Sequence, residues 1–396
     1  MRHVRHTRTR RWRRLALLAM APLLALSATA ATAQGVWVTT PPKPTAASGV
    51  GGAAADCPDG LRGTCVYAVG GTGDGKLEAY SPASGTWATL PSLKSPQRLL
   101  PATTTAPCPS GIKGDCVYAI GGFWTGIPQA PAEAYSTETN AWLTLPAPPT
   151  LRGGAAATAP CPDGLGLRGT CVYVIGGSDG VNSLATVEAY SPATNTWATL
   201  TPLQTARSGI GASAAPCPGA LGLKGTCVYA IGGAGATGNL TSVEVYSPVL
   251  NAWQFVAPLP TARFTLSAAT APCPEGMSDG CVYALGGSDN GVTLSTAEAY
   301  SPVTNAWVTL PSIPTPRREF GAAAAPCPKN TKSDCVYAIG GFIDGATSTA
   351  TTEAFAIERE PANPKPKPST QPRPPADDPF PDEPLDAPKA APSPAS

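Results

Sequence analysis

Histidine is almost absent from this chain of 396 residues, and both copies, His3 and His6, fall within the first six positions. Imidazole is the usual general base near neutral pH and a common metal ligand, so chemistry that depends on it is excluded for the rest of the chain. Positive charge is also scarce beyond the first 33 residues: without their seven arginines, 20 basic residues face 26 acidic ones, a net charge of −6. This balance argues against nucleic acids and anionic membranes as partners.

Long apolar runs are few. The run 15–26 follows the seven arginines, and a stretch of small residues ends at Ala33. This order is typical of a signal peptide, residues 1–33, cleaved after Ala33, which predicts a secreted or cell-surface protein. Two alternatives stay open: an uncleaved anchor, because small residues extend the apolar run, and twin-arginine export through Arg10 and Arg11. No second run is long enough for a bilayer, so we expect no membrane span in the mature chain.

Large apolar residues are nearly missing from the last stretch, 361–396, which has 13 prolines in 36 residues. Such a segment cannot bury a core, so we expect an extended, disordered tail. One globular domain remains, at 34–360.

That domain contains six copies of one sequence repeat. Each copy has an apolar run that ends in a Gly pair, and then, in five of the six, a run ending in Tyr with a Trp seven residues later. The Gly pairs begin at Gly70, Gly121, Gly176, Gly232, Gly286 and Gly340, and the Tyr/Trp pairs are Tyr80/Trp87, Tyr135/Trp142, Tyr190/Trp197, Tyr246/Trp253 and Tyr300/Trp307. The offsets of 51 to 56 residues indicate one supersecondary unit that packs against its own copies.

These residues resemble the kelch repeat, and the resemblance covers about 36–357. It implies an all-β fold, a six-bladed β-propeller with four-stranded antiparallel blades. The sixth repeat departs from the pattern, because Phe355 replaces Tyr and no Trp follows. Trp37, however, stands 20 residues before Cys57, in register with the other repeats. We therefore expect the N-terminal strand to complete the last blade and close the ring.

The twelve cysteines fall in six pairs close in sequence: Cys57/Cys65, Cys108/Cys116, Cys161/Cys171, Cys217/Cys227, Cys273/Cys281 and Cys327/Cys335. With a signal peptide, an even count at repeated spacing predicts six disulfides, one in each blade. Zinc is the competing interpretation, but it needs four ligands at one point, and these pairs are spread around a ring. We expect no metal and no cofactor.

Antiparallel strand order defines two faces. The Cys hairpins and the turns before the Trp strands lie on the lower face; the loops after the Gly pairs and the connections between blades lie on the upper face. Five arginines recur ten or eleven residues after a Trp, in those connections: Arg98, Arg152, Arg207, Arg263 and Arg317. In kelch domains that bind acidic peptides, such arginines line the pocket, which makes Arg98 and Arg317 candidates. The alternative is that each pairs with a backbone carbonyl or with the Glu that recurs in every blade.

Two further sets are candidates for ligand contact. Glu319 follows Arg317 and Arg318 near the axis, as a salt-bridge partner or a ligand contact. Phe123 and Trp124 open the upper loop of blade two, and Phe342 opens that of blade six. The loop of blade one, between these neighbours, is the shortest on the upper face. This predicts an apolar notch over blade one; the alternative is local packing of the aromatics.

These features favour a secreted or cell-surface binding module that recognises an extracellular glycan or protein on the upper face. Nucleic acid is not expected as a partner, and a monomer is expected. The alternative, implied by resemblance to secreted kelch propellers, is a carbohydrate-active enzyme of the sugar epimerase or mutarotase type that uses Glu and Arg in the channel. No catalytic residue is assigned.

Overall fold

A computed structural model describes Met1 and residues 35–72, 75–95, 98–274, 277, 280–328 and 333–358. Apart from Met1, the predicted signal peptide and the predicted tail lie outside these residues. Among the residues described, no helix is long and apolar enough to cross a membrane.

The structure is a ring of six antiparallel four-stranded sheets, which confirms the predicted six-bladed propeller. Strand β1 (Gly35–Thr39) belongs to the last blade. Blade one contains β2 (Gly51–Asp56), β3 (Thr64–Val69), β4 (Leu77–Ser81) and β5 (Thr86–Leu90). Blade two contains β6 (Ala102–Pro107), β7 (Asp115–Ile120), a small hairpin of β8 (Phe123–Trp124) and β9 (Ile127–Pro128), then β10 (Ala132–Ser136) and β11 (Ala141–Leu145).

The other four blades repeat this plan. Blade three contains β12 (Gly153–Pro160), β13 (Thr170–Ser178), β14 (Val187–Ser191) and β15 (Thr196–Thr199). Blade four contains β16 (Gly211–Pro216), a 3-10 turn (Gly219–Leu221), β17 (Thr226–Ile231), the hairpin β18 (Ala234–Gly235) and β19 (Gly238–Asn239), β20 (Val243–Ser247) and β21 (Ala252–Val256).

Blade five contains β22 (Ser267–Pro272), β23 (Gly280–Leu285), the hairpin β24 (Ser288–Asp289) and β25 (Val292–Thr293), β26 (Ala297–Ser301) and β27 (Ala306–Thr309). Blade six contains β28 (Gly321–Pro326), β29 (Asp334–Ile339) and β30 (Thr352–Ile357), and β1 is its outer strand.

The ring closes through the chain's first strand, as the sequence predicts. Strand β1 pairs antiparallel with β30, with Trp37 opposite Phe355. The Trp37 indole donates a hydrogen bond to the carbonyl of Pro311, 2.7 Å away at the exit of blade five. Every blade makes the same bond to the blade before it, through Trp87 to Pro41, Trp142 to Pro91, Trp197 to Pro146, Trp253 to Thr201 and Trp307 to Ala257. Closure thus covers the edge that β30 would otherwise expose.

Tyr and Asn occur together at the outer turns. In blades two to five an Asn with positive φ ends the turn, and its side-chain oxygen accepts a hydrogen bond from the blade's Tyr hydroxyl, as in Tyr190 to Asn195 at 2.6 Å. In blade six the outer strand comes from the other end of the chain, and Gly35 occupies that position. Phe355 therefore has no Asn to bond there, although Tyr80 of blade one keeps its hydroxyl with Gly85 at the same position.

The hydrophobic core lies between the blades. Each of six buried clusters joins side chains from two adjacent blades, for example Tyr173 and Val187 of blade three with Val228 and Tyr246 of blade four. Innermost strands are rich in Gly and Ala because they converge on the axis. Six disulfides close the lower-face hairpins: Cys57–Cys65, Cys108–Cys116, Cys161–Cys171, Cys217–Cys227, Cys273–Cys281 and Cys327–Cys335. Each contributes about 2–3 kcal/mol in the chain-entropy model.

Candidate binding face and channel mouth

Six buried ion pairs hold the upper side of the blades. No side chain in them is more than 3% exposed. The pairs are Lys43–Glu78, Arg98–Glu133, Arg152–Glu188, Arg207–Glu244, Arg263–Glu298 and Arg317–Glu353.

The arginines act as clamps within the blades. Arg207 donates hydrogen bonds to Glu244 at 2.6 Å, to the Gly232 carbonyl at 3.0 Å and to the Ser242 carbonyl at 2.8 Å. Burial lowers the pKa of Arg207, and the charge of Glu244 opposes that shift. Gly232 opens a Gly pair and Ser242 precedes the third strand, so one guanidinium fixes both ends of the upper loop.

Arg98 and Arg317 are placed in the same way. Arg98 donates to the Pro131 carbonyl at 2.8 Å, and Arg317 to the Gly340 carbonyl at 2.9 Å. They are 1% and 0% exposed. Their guanidinium groups are turned into the blades, so the structure does not place these two candidates on a surface that a ligand reaches. The recurring glutamates neutralise the charges of these arginines.

Blade one makes its ion pair by another route. Its connection has Ala47 at the arginine position, and the cation comes instead from Lys43, whose ammonium lies 2.7 Å from Glu78. Burial lowers the pKa of Lys43, and the contact with Glu78 opposes that shift. The sequence reasoning missed this residue because it counted from the Trp, and Lys43 lies four residues before the expected position. The sixth recurring glutamate was the signal, since a buried Glu needs a partner.

A cavity of about 290 Å³ lies at the upper end of the central channel, and we call it the channel mouth. Its walls come from the starts of the inner strands and from the connections between blades, including Leu100, Gly154, Gly209, Thr265 and Glu319. All its lining residues are described by the structure, and Glu319 alone among them is charged. Two of the predicted candidates, Phe123 and Glu319, line this cavity.

Arg318 lies beside that cavity and faces away from it. Its guanidinium donates to the Gly345 carbonyl at 3.1 Å and stands over the Phe342 ring, 5.4 Å from its centre. Its Nε lies 4.0 Å from the Glu319 carboxylate, the outer limit of an ion pair. Arg318, Glu319 and Phe342 are thus neighbours, as the sequence suggested, with Phe342 acting as a support for Arg318.

The aromatic pair of blade two faces blade three. A Cβ placed on Gly153 would lie 2.0 Å from the Phe123 ring, so that ring covers Gly153. The hairpin tip follows, with the Gly126 carbonyl close to Gly180 of blade three. Trp124 is 38% exposed on this hairpin. The predicted notch over blade one therefore lacks its Phe123 wall, because the upper loop of blade two leans in the other direction.

Exposed apolar side chains mark several upper loops, and the sequence reasoning overlooked most of them. We call Trp124, Ile127, Val181 and Val292 the upper rim; the last three are 62%, 88% and 61% exposed. Two tight turns present three of them, Trp124, Ile127 and Val292. Thr125-Gly126 and Asn290-Gly291 both have positive φ, the geometry of type I′ hairpins. The dipeptide Asn290-Gly291 between paired strands was the available signal.

Comparisons with known proteins agree with this architecture. The model of the Kelch motif matches residues 104–149, 165–204, 217–260 and 276–314. Kelch-like protein 35 of Mus musculus is 28% identical over 70% of this chain and 41% of its own length. Kelch-like protein 23 of Homo sapiens is 28% identical over 65% of this chain and 42% of its own. The chain thus spans less than half the length of these curated relatives.

A solved structure shows the same fold. The protein titled "Structure of YjhT" superposes with a TM-score of 0.55 at 15% identity, over 79% of this chain and 96% of that one. At such identity the likeness speaks for the fold alone. Taken with the six repeats, the closed ring of blades and the matching motif, these findings show that the chain belongs to the kelch-repeat β-propeller family.

Proposed function

We propose that this protein is a protein-binding module whose upper face contacts the partner. The upper rim is the observation that carries this proposal: four exposed apolar side chains from blades two, three and five stand on the side of the ring where the channel mouth opens. Exposed apolar groups grouped around a concave site mark interaction surfaces. Kelch-like proteins as relatives favour a protein as the partner.

The lower face supplies a matched comparison. Val249, Leu250 and Val303 are also exposed there, at 70%, 57% and 49%, but they sit at outer turns, away from any cavity described above. Replacing exposed residues on either face should leave the fold intact.

The experiment uses the immobilised full chain in three forms to capture proteins from the host. The upper-face variant carries Trp124→Ala, Ile127→Ser and Val181→Ser. The lower-face control carries Val249→Ser, Leu250→Ser and Val303→Ser. We expect a partner that wild type and control retain and the upper-face variant loses. Equal capture by both variants, or no protein retained by wild type, would contradict the proposal.

Export is the finer part of the proposal. A positively charged start, an apolar run and a small-residue site support a cleaved signal peptide, and six disulfides suit an oxidising compartment. Sequencing the N-terminus of exported chain should give Gln34 first. A glycan on the upper face remains a second ligand class, supported by the exposed Trp124.

A further inference from the structure

A ring of backbone hydrogen bonds surrounds the channel mouth. The equivalent residues of the six blade connections are Gly49, Leu100, Gly154, Gly209, Thr265 and Glu319, and all but Gly154 take part in the bonds. Four bonds link neighbours: Leu100 N–H to Gly49 at 2.7 Å, Gly49 N–H to Glu319 at 2.7 Å, Glu319 N–H to Thr265 at 3.1 Å and Thr265 N–H to Gly209 at 2.6 Å. Over this arc the mouth is closed by main chain.

Blade three breaks the ring. Its inner strand has eight residues against six in the other blades, and its register shifts between Gly153 and Ala155. Gly154 is therefore drawn into the strand and lacks the positive φ of the other members. Within the described chain, no hydrogen bond reaches the N–H of Gly209 or the carbonyl of Leu100. The two bonds that would complete the ring are therefore missing at blade three.

Glu319 stands across the channel from this gap in the ring of hydrogen bonds, because blades three and six are opposite in a ring of six. Its main chain is fixed by two ring bonds, with φ at 53°. Its side chain is 25% exposed, and among the described residues the carboxylate accepts no hydrogen bond. Its approach to Arg318 is the 4.0 Å contact described above. A partly buried carboxylate without hydrogen bonds is poised to accept them.

Several other polar groups of the wall offer acceptors, whereas the Gly209 N–H and the Ser178 hydroxyl, which accepts from the Gly180 N–H, can donate. Thr103 donates its hydroxyl proton to the Pro101 carbonyl, Thr265 to Phe264 and Ser267 to Phe320. All three hydroxyls line the mouth. Because each donates its proton to a backbone carbonyl, each offers its lone pairs to a ligand. The free Leu100 carbonyl adds another acceptor. A wall of this kind suits a ligand rich in donors; an ammonium has three and a guanidinium five.

The local charge favours a cation. Glu319 is the charged residue of the lining, and its contact with Arg318 is no closer than 4.0 Å. Apolar lining from Leu100, Phe264 and Leu266 offers contact for a side chain's stem. A volume of about 290 Å³ suits one side chain rather than a drug-sized ligand.

We propose that the channel mouth binds a primary ammonium or guanidinium group, the end of a Lys or Arg side chain in a partner polypeptide, with Glu319 as the pairing carboxylate. This deepens the proposed function and rests on it. The partner would lie on the upper rim and insert one basic side chain at the axis.

The test selects heptapeptides from a displayed library on the wild-type chain and measures the affinity of synthetic copies. We expect the selected peptides to share a Lys or Arg. Glu319→Gln should weaken their binding about 10- to 100-fold, the range for a charge-assisted hydrogen bond. Glu138→Gln removes the same charge at an exposed lower-face turn and should leave affinity unchanged. Replacing the basic residue with norleucine should weaken binding to wild type and add no further loss in Glu319→Gln.

The pH dependence gives an independent readout. Burial raises the pKa of the Glu319 carboxyl, and Arg318 opposes the shift. A cation binds the ionised form, so affinity should rise with pH through this titration and become flat in Glu319→Gln. The same measurement on free n-butylammonium distinguishes a small amine from a polypeptide: peptides should bind more tightly because they also contact the upper rim.

Three outcomes would overturn the proposal. The proposal fails if the selected peptides share no basic residue, if their affinity is unchanged in Glu319→Gln, or if no binder is selected. If selected peptides lose affinity in the upper-face variant but not in Glu319→Gln, the cation site fails and the proposed function stands. If captured partners and selected peptides bind the upper-face variant and Glu319→Gln as tightly as wild type, the proposed function fails as well.

Discussion

At the scale of single residues, the buried charged side chains pair with one another and stabilise the fold. Five arginines and Lys43 each neutralise one buried Glu. Replacing a buried pair with apolar groups is often tolerated, but removing one partner leaves an uncompensated charge in a dry site. Glu319 differs from the other glutamates because its carboxylate remains accessible at the axis. Sequence position set Glu319 apart, because the other glutamates recur in every blade and Glu319 does not.

Lys43 offers the sharpest test of this view, because no repeat pattern marks it. Lys43→Met should lower the free energy of unfolding by about 3–5 kcal/mol, since Glu78 would be left buried and unpaired. Lys43→Met combined with Glu78→Met should recover most of that loss. Denaturant titration measures both. A loss below about 1 kcal/mol in the single variant, or no recovery in the double variant, would contradict the assignment.

At the scale of elements, strand β1 is the piece that makes the ring continuous. It contributes the sixth Trp and lies against Phe355. The Phe355 ring reaches Gly35 so closely that a Cβ there would lie 2.3 Å from its Cζ. The absence of a side chain at Gly35 is thus a condition for pairing in the closing blade.

Gly35→Ala should lower the free energy of unfolding by about 1–3 kcal/mol, the usual cost of overpacking. Val36→Ala is the matched control, because Val36 is 51% exposed in the same strand and should change stability by less than about 0.5 kcal/mol. Thermal and denaturant unfolding compare the two. Equal stability in both variants would mean that β1 does not pack as described.

At the scale of the whole molecule, sequence reasoning predicted the ring but not its surface. Repeated Gly pairs and Trp residues gave six blades and placed Trp37 in the last one, because these marks fix strand positions locally. Side-chain directions depend on contacts between blades, which no repeat spacing encodes. Phe123 therefore turned out to cover Gly153, Arg98 turned into its blade, and the break at Gly154 came from a register shift in one strand.

The upper face as the binding surface is the central claim, and amide hydrogen exchange tests it most directly. The full chain is compared with and without the partner captured by the experiment above. We predict slower exchange in the loops at 123–128, 178–183 and 288–293 and in the connections around the channel mouth, with no change in the Cys hairpins. Protection confined to those hairpins and the outer turns of the lower face would contradict the claim.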